Sequence, residues 1–207
     1  MKGRLITIEG GEGAGKSSVM AALRSAIAMR GVEVLQTREP GGTEVGEAIR
    51  AVLLDPVHRI CADSELLLMF AARAQHLHEL ILPALNRGAW VVCDRFTDSS
   101  YAYQGAGRGM DTALIAELER WVVKLKPDLT LLLDVDTHVG RGRTSGREFW
   151  DRIERERSDF FERVRTNFLQ RAALEPGRFR VIDASAAQED VVRATIDALS
   201  RASSEWS

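Results

Sequence analysis

Residues Gly10–Ser17 read G-G-E-G-A-G-K-S, a G-x-x-x-x-G-K-[ST] loop with every defined position filled. Glycines at this spacing let backbone N–H groups turn inward around phosphate oxygens. Gly10, Gly11, Gly13 and Gly15 supply that freedom, with Glu12 and Ala14 between them and Ser18 just beyond. Lys16 is then placed to reach β- and γ-phosphates, and the Ser17 hydroxyl to hold Mg²⁺. The flanks agree with this chemistry. A strand-like run, Arg4–Glu9, precedes the loop and a helical pattern, Lys16–Arg30, follows it, so the helix N-terminus adds a favourable dipole for an anion.

In sheets of parallel strands, ligands gather beyond the carboxyl ends of the strands. The residues following the other apolar runs therefore carry information. Thr37-Arg38-Glu39-Pro40-Gly41-Gly42-Thr43 follows the second run and Asp94-Arg95-Phe96 the third. A polar stretch comes next, with Ser99, Ser100, Tyr103 and Gln104 as candidates to bind a substrate. Arg38 and Arg95 are predicted to converge near the phosphate loop, and a guanidinium pair suits a second phosphate group. Two phosphates side by side imply phosphoryl transfer to a nucleotide. Asp94 is the candidate for the acidic residue on the Mg²⁺ side, and Asp134, at the end of the fourth run, competes on the same logic. The phosphate loop holds no arginine of its own. Arg141, Arg143 and Arg147, in a flap of about residues 138–150, are expected to oppose charge on the transferred phosphoryl group.

The elements that must position these groups alternate. Strands are predicted over Arg4–Glu9, Val32–Thr37, Trp90–Asp94, Leu129–Val135 and Phe179–Asp183. Helices are predicted over Lys16–Arg30, Glu44–Leu53, Ser64–Asn86, Thr112–Lys124, Asp151–Ala172 and Gln188–Arg201. Pro83 predicts a kink or break within the third helix. Leu114, Leu118, Trp121, Val122 and Leu125 share one helical stripe, as do Ile153, Phe160, Phe161, Val164 and Phe168, and both stripes are expected to be buried. The expected fold is a single α/β domain over residues 1–207, with a five-stranded parallel sheet between helical layers.

Bulk properties narrow the classes. A net charge of −2 argues against a general nucleic-acid binder, which needs a basic excess. No apolar stretch reaches membrane-spanning length, and no signal-peptide pattern precedes the first strand. Cys61 and Cys93 lack metal-ligand spacing and are expected to be reduced thiols. A cytoplasmic protein is expected. A GTPase-like switch would need an N/T-K-x-D segment after the fourth strand, and none is found there.

Several blocks then resemble the bacterial thymidylate kinase family along essentially the whole chain. They are E-G-G-E-G-A-G-K-S at 9–17, T-R-E-P-G-G-T at 37–43, L-L-L-M-F-A-A-R at 66–73, D-R-F at 94–96, Y-Q-G-A-G-R-G at 103–109, P-D-L-T-L-L-L-D at 127–134 and D-R-I-E at 151–154. The resemblance implies ATP- and Mg²⁺-dependent conversion of dTMP to dTDP by a homodimer with the phosphate-loop nucleoside-monophosphate kinase fold. It implies that Phe70 stacks on thymine, Arg73 bonds the O4 carbonyl, and Gln104 reads the N3 edge. Tyr103 is implied beside the sugar 2′ position and Glu12 near the 3′-hydroxyl, with Arg38 and Arg95 on the acceptor phosphate. The flap departs from the family's R-A-x-A-R-G form. Arg143 and Arg147 align, with Ser145 between them, and Arg147 is favoured as the arginine that reaches the transferred group. Uridylate and adenylate kinases share the loop, fold and arginines.

Overall fold

The apolar runs pair as five parallel strands: β1 (Arg4–Gly10), β2 (Val34–Arg38), β3 (Trp90–Asp94), β4 (Leu129–Asp134) and β5 (Phe179–Asp183). Their spatial order in this computed structural model, which describes residues 2–144 and 150–206, is β2-β3-β1-β4-β5. Branched and leucyl side chains fill both sheet faces because both are covered. Leu5, Ile6, Ile8, Val91, Val92, Leu131 and Leu133 are all fully buried. On one face lie α1 (Lys16–Ala28) and α9 (Gln188–Ser204), which pack on each other and on the strands. Val19, Leu23, Ile27, Val191 and Leu199 close that layer.

The opposite layer is built from α2 (Glu44–Leu54), α3 (Ala62–His76) and α8 (Ser158–Leu174), together with shorter pieces. The helix of α3 does not break at Pro83. A five-residue π turn, Leu77–Ile81, joins α3 to α4 (Leu82–Asn86), and the wide turn just ahead of the proline absorbs its missing N–H. The polar stretch after β3 is helical as well: α5 (Thr97–Ser100) runs directly into a π segment, Tyr101–Gly107. The segment α7 (Thr137–Thr144) forms the first half of the expected flap.

Two sequence expectations are corrected. The fifth predicted helix begins as turns over residues 151–157, and α8 starts only at Ser158. Asp151 is the reason: its Oδ1 accepts the N–H groups of Ile153 and Glu154, and so competes with a helical start. Phe160, Phe161, Val164 and Phe168 are buried as expected. The stripe that begins on α6 (Thr112–Leu118) is met in part, with Leu118, Val122 and Leu125 packed against the core. Ile115 and Val123 are buried, whereas Leu114 is 47% and Trp121 70% exposed. A third π segment, Glu119–Val123, widens the turn there and rotates the apolar line away from a strict 3.6 period.

Register sets the site. Arg38 lies opposite Asp94 between β2 and β3, Ile8 opposite Asp94 between β1 and β3, and Gly10 opposite Leu133 between β1 and β4. The carboxyl ends of β1, β2 and β3 therefore deliver the phosphate loop, Arg38 and Asp94-Arg95 to one edge of the sheet.

Candidate active site

A cavity of about 460 Å³ opens along that edge. The phosphate loop, Glu12 to Ser18, forms one wall. Gly10, Gly13 and Gly15 all have positive φ, as a loop wrapped around an anion requires. The Lys16 ammonium lies within the loop, donating to the carbonyls of Gly11 (3.0 Å) and Gly10 (3.4 Å). Desolvation around it and the charge of Arg95 hold its pKa below the ordinary lysine value. Two loop carbonyls thus hold the lysine where phosphate oxygens would replace them.

Arg95 crosses the cavity floor. Its φ of 67° lies in the left-handed region, rare for a side chain of this size, and its backbone N–H donates to the Ile8 carbonyl at 2.9 Å. The guanidinium reaches Gly10 O (3.1 Å), Ser99 Oγ (3.3 Å) and Glu12 Oε1 (3.1 Å), and sits 4.8 Å from the Tyr103 ring centre. Beneath it Glu9 is fully buried and accepts from the Phe96 N–H (2.8 Å) and Ser99 Oγ (2.6 Å). Burial and the nearby Asp98 charge push its pKa up to about 8.

At the far end of the cavity α3 contributes Arg73, which is 3% exposed. Its Nε donates to Glu39 Oε2 at 2.7 Å, Nη1 to Ser100 Oγ at 3.0 Å, and Nη2 to the Phe96 carbonyl at 3.1 Å. Glu39 also meets His76 Nδ1 (3.1 Å), whose other ring nitrogen meets Thr37 Oγ1 (2.7 Å). Four buried polar side chains therefore fix one guanidinium. Gln104, 1% exposed, stands beside it on the cavity wall. Tyr103 presents a buried hydroxyl with no hydrogen-bond partner among the described residues.

The two competing carboxylates differ in what occupies them. Both oxygens of Asp134 are taken by Arg165, at 2.8 and 3.0 Å. Asp94 lines the cavity with Ser17, and its buried Oδ1 has no hydrogen-bond partner among the described residues. An orphaned carboxylate oxygen beside a loop hydroxyl suits Mg²⁺, which takes one or two protein oxygens and completes its shell with phosphates and water.

A family model for thymidylate kinase matches residues 8–195. The chain belongs to the thymidylate kinase family. It is 54% identical over 209 residues to a thymidylate kinase of Chromohalobacter salexigens, covering 99% of each chain. It is 55% identical over 193 residues to that of Alcanivorax borkumensis, covering 92% of this chain and 93% of the relative. A crystal structure of thymidylate kinase from Ehrlichia chaffeensis superposes with a TM-score of 0.80 at 32% identity, over 97% of this chain and 99% of that one. The fold that the resemblance implies is the fold observed.

Within this member of the family the predicted site residues do not all meet. The cavity gathers Glu12, Gly13, Ala14, Gly15, Lys16, Ser17, Ser18, Arg73, Asp94, Arg95, Ser99, Ser100, Tyr103, Gln104 and Arg143. Gly10 and Gly11 line a small cleft behind the loop. Arg38 stays apart. Its Nη2 lies 2.9 Å from both oxygens of Glu47, and it lines a neighbouring open cleft with Ser17, Arg24 and Asp94. Arg50, unassigned by the sequence reading, takes a place on the main cavity wall and donates to the Pro40 carbonyl at 2.8 Å. Phe70 is also absent from that wall. It is 2% exposed in the core, with the Arg73 guanidinium 4.7 Å over its ring, while Met69 faces the cavity. Five consecutive apolar residues, Leu66–Phe70, leave the helix phase open by one position, and only tertiary packing chose it.

Arg143 donates to the carbonyls of Gly13 (3.3 Å), Ala184 (2.7 Å) and Ser185 (3.2 Å). It thereby spans a further cleft of about 500 Å³, between the phosphate loop and the segment after β5. That segment, Ala184–Ala187, carries no charged side chain and gave no signal in the sequence. Arg141 turns away from the main cavity, donating to the Glu156 carbonyl and lying 5.2 Å over the Phe161 ring. Arg147 falls outside the described residues.

Proposed function

We propose that this protein transfers the γ-phosphoryl group of ATP to dTMP, giving dTDP and ADP, in a Mg²⁺-dependent reaction. One observation carries the reading: a single cavity has the Lys16–Ser17 phosphate loop at one end and the Arg73–Gln104 pair at the other, with Arg95 between. A nucleotide donor fits the loop, with its base toward the cleft at Ala184–Ala187. A monophosphate fits the remaining space, its phosphate toward Arg95 and its pyrimidine edge toward Arg73 and Gln104.

The acceptor phosphate is already an anion, so transfer needs no strong general base. A dTMP phosphate oxygen attacks the γ-phosphorus in line. The new P–O bond forms as the bond to the β–γ bridging oxygen breaks, and ADP leaves. Lys16 exchanges its loop carbonyls for β- and γ-oxygens, while Arg95, anchored by Gly10 and Glu12, holds the acceptor. Arg38 would join Arg95 only after leaving Glu47. Arg143 is the described flap arginine nearest the loop, and Arg147 keeps the role assigned to it by resemblance. Ser17 and Asp94 would hold Mg²⁺, which when bound neutralises charge shared by the β- and γ-phosphates.

Arg73 donates where thymine has its O4 acceptor, and Gln104 serves the N3 edge. Met69 supplies the apolar contact to the base that the resemblance assigned to Phe70. A cytoplasmic homodimer completes the reading, its dimer supported by large apolar side chains left on the surface, Leu67 on α3, Leu114 on α6 and Trp121 on the π segment that follows. The test is a coupled turnover assay of the purified protein with ATP, Mg²⁺ and, separately, dTMP, UMP and AMP. Preferred turnover of dTMP is expected. Preference for either other monophosphate would reject the pyrimidine assignment, and nucleotide-dependent partner binding without turnover would favour a switch.

A further inference from the structure

We infer that Glu65 is a positioning residue: it fixes which end of the Gln104 amide faces the base, and so sets the enzyme's choice between an N3–H and an N3 lone pair. The inference rests on the proposed dTMP reaction. Glu65 is in the first turn of α3 and is 1% exposed. Its Oε1 accepts from Gln104 Nε2 at 2.8 Å and from Arg108 Nε at 3.3 Å. Its Oε2 accepts from Arg108 Nη2 at 3.1 Å and Arg152 Nη2 at 2.6 Å. Burial alone would raise its pKa, but the bonds from Gln104, Arg108 and Arg152 outweigh it and hold the carboxyl below its ordinary value.

An ionised carboxylate only accepts hydrogen bonds. Gln104 must therefore turn its NH₂ group to Glu65, which leaves its carbonyl oxygen for the cavity. Among the described residues no donor meets that oxygen. A carbonyl pointing at the base accepts from the N3–H of thymine or uracil and repels the N3 lone pair of cytosine. Amide orientation is ordinarily ambiguous, because the two ends have nearly the same shape. Here two arginines remove the ambiguity by keeping Glu65 charged.

Glu65→Gln tests this, because a glutamine can present either end of its own amide and no longer dictates Gln104. The substrates are dTMP and 5-methyl-dCMP, alike in shape and different at N3 and position 4. In the variant the ratio of their kcat/KM values should fall about tenfold, the scale of one hydrogen bond exchanged for a repulsion, with KM for ATP within about twofold of wild type. Adding Glu65→Gln to Gln104→Met should change the ratio no further. Equal losses for both pyrimidines, or an undiminished effect in the Gln104→Met background, would overturn the assignment. Should Glu65→Gln not fold, the wild-type protein still decides. One Gln104 Nε2 proton, identified by its loss in Gln104→Met, should be protected from solvent exchange before any nucleotide is added. A freely exchanging Gln104 amide would overturn the inference. Wild-type protein that turns over dTMP no faster than UMP and AMP would instead defeat the function on which it rests.

Discussion

Phe70→Ala separates a core residue from a base-stacking one. The ring is 2% exposed, packs within the α3 side of the core, and supports the Arg73 guanidinium at 4.7 Å. Truncating a phenylalanine so enclosed costs about 3–5 kcal/mol, from lost transfer energy plus the cavity left behind. The cation–ring contact, buried with its arginine, adds about 1 kcal/mol. For a chain of this length each kcal/mol lowers Tm by about 2–4 °C, so a drop of at least about 8 °C is expected by thermal unfolding followed by circular dichroism. Met69→Ala, by contrast, should leave Tm within about 3 °C while raising KM for dTMP several-fold, since Met69 is part-exposed on the cavity wall. The ATP KM should stay put in Met69→Ala. The reasoning fails if Phe70→Ala keeps the wild-type Tm and raises only the dTMP KM, for that result would place the ring against the base.

Lys16→Ala should lower kcat by about a thousandfold or more in the coupled assay, because no other described ammonium reaches the loop; near-normal turnover would remove the loop's role. Asp94→Asn should raise the Mg²⁺ concentration for half-maximal rate by about tenfold, whereas Asp134→Asn, which loosens only Arg165, should leave that value unchanged. Glu9 has a folded-state pKa of about 8 against an ordinary 4.5, so the folded chain retains a proton that the unfolded chain has lost between those values. Its contribution is therefore fully present below about pH 4.5 and is lost as pH rises through 8. Glu9→Gln should flatten the decline in urea midpoint over that window, and an unaltered slope would assign the decline elsewhere. Trp121→Glu should shift sedimentation from dimer to monomer with the fold intact; an unchanged dimer would move the interface away from the Glu119–Val123 segment.

How much of this was legible depended on how local the signal was. The phosphate loop needs only its own glycines, Lys16 and Ser17, and the parallel strands needed only short apolar runs, so both could be read from consecutive residues. Asp94 and Asp134 looked alike because each ends an apolar strand. They separated once Arg165, thirty-one positions after Asp134, was found on one of them. Arg38 had the right strand end and the right neighbour in register, but Glu47 on the following helix turned its side chain outward. The α6 stripe held only in part because counting at 3.6 residues per turn presumes a regular helix, and the π segments after α3, α5 and α6 are set by tertiary packing. Glu65 escaped notice for a related reason. Its partners lie 39, 43 and 87 positions away, and nothing nearby in the chain marks a glutamate there as more than a helix-start residue.

At the sheet edge the backbone of Gly13 meets that of Gly140 so closely that a methyl group on either would strike the other segment's carbonyls, at Gly140 and at Glu12. The start of α7, the helix that carries Arg141 and Arg143, is thus seated directly on the phosphate loop. A side chain at either position would push the start of α7 off the phosphate loop and carry Arg143 away from the Gly13 carbonyl it now reaches.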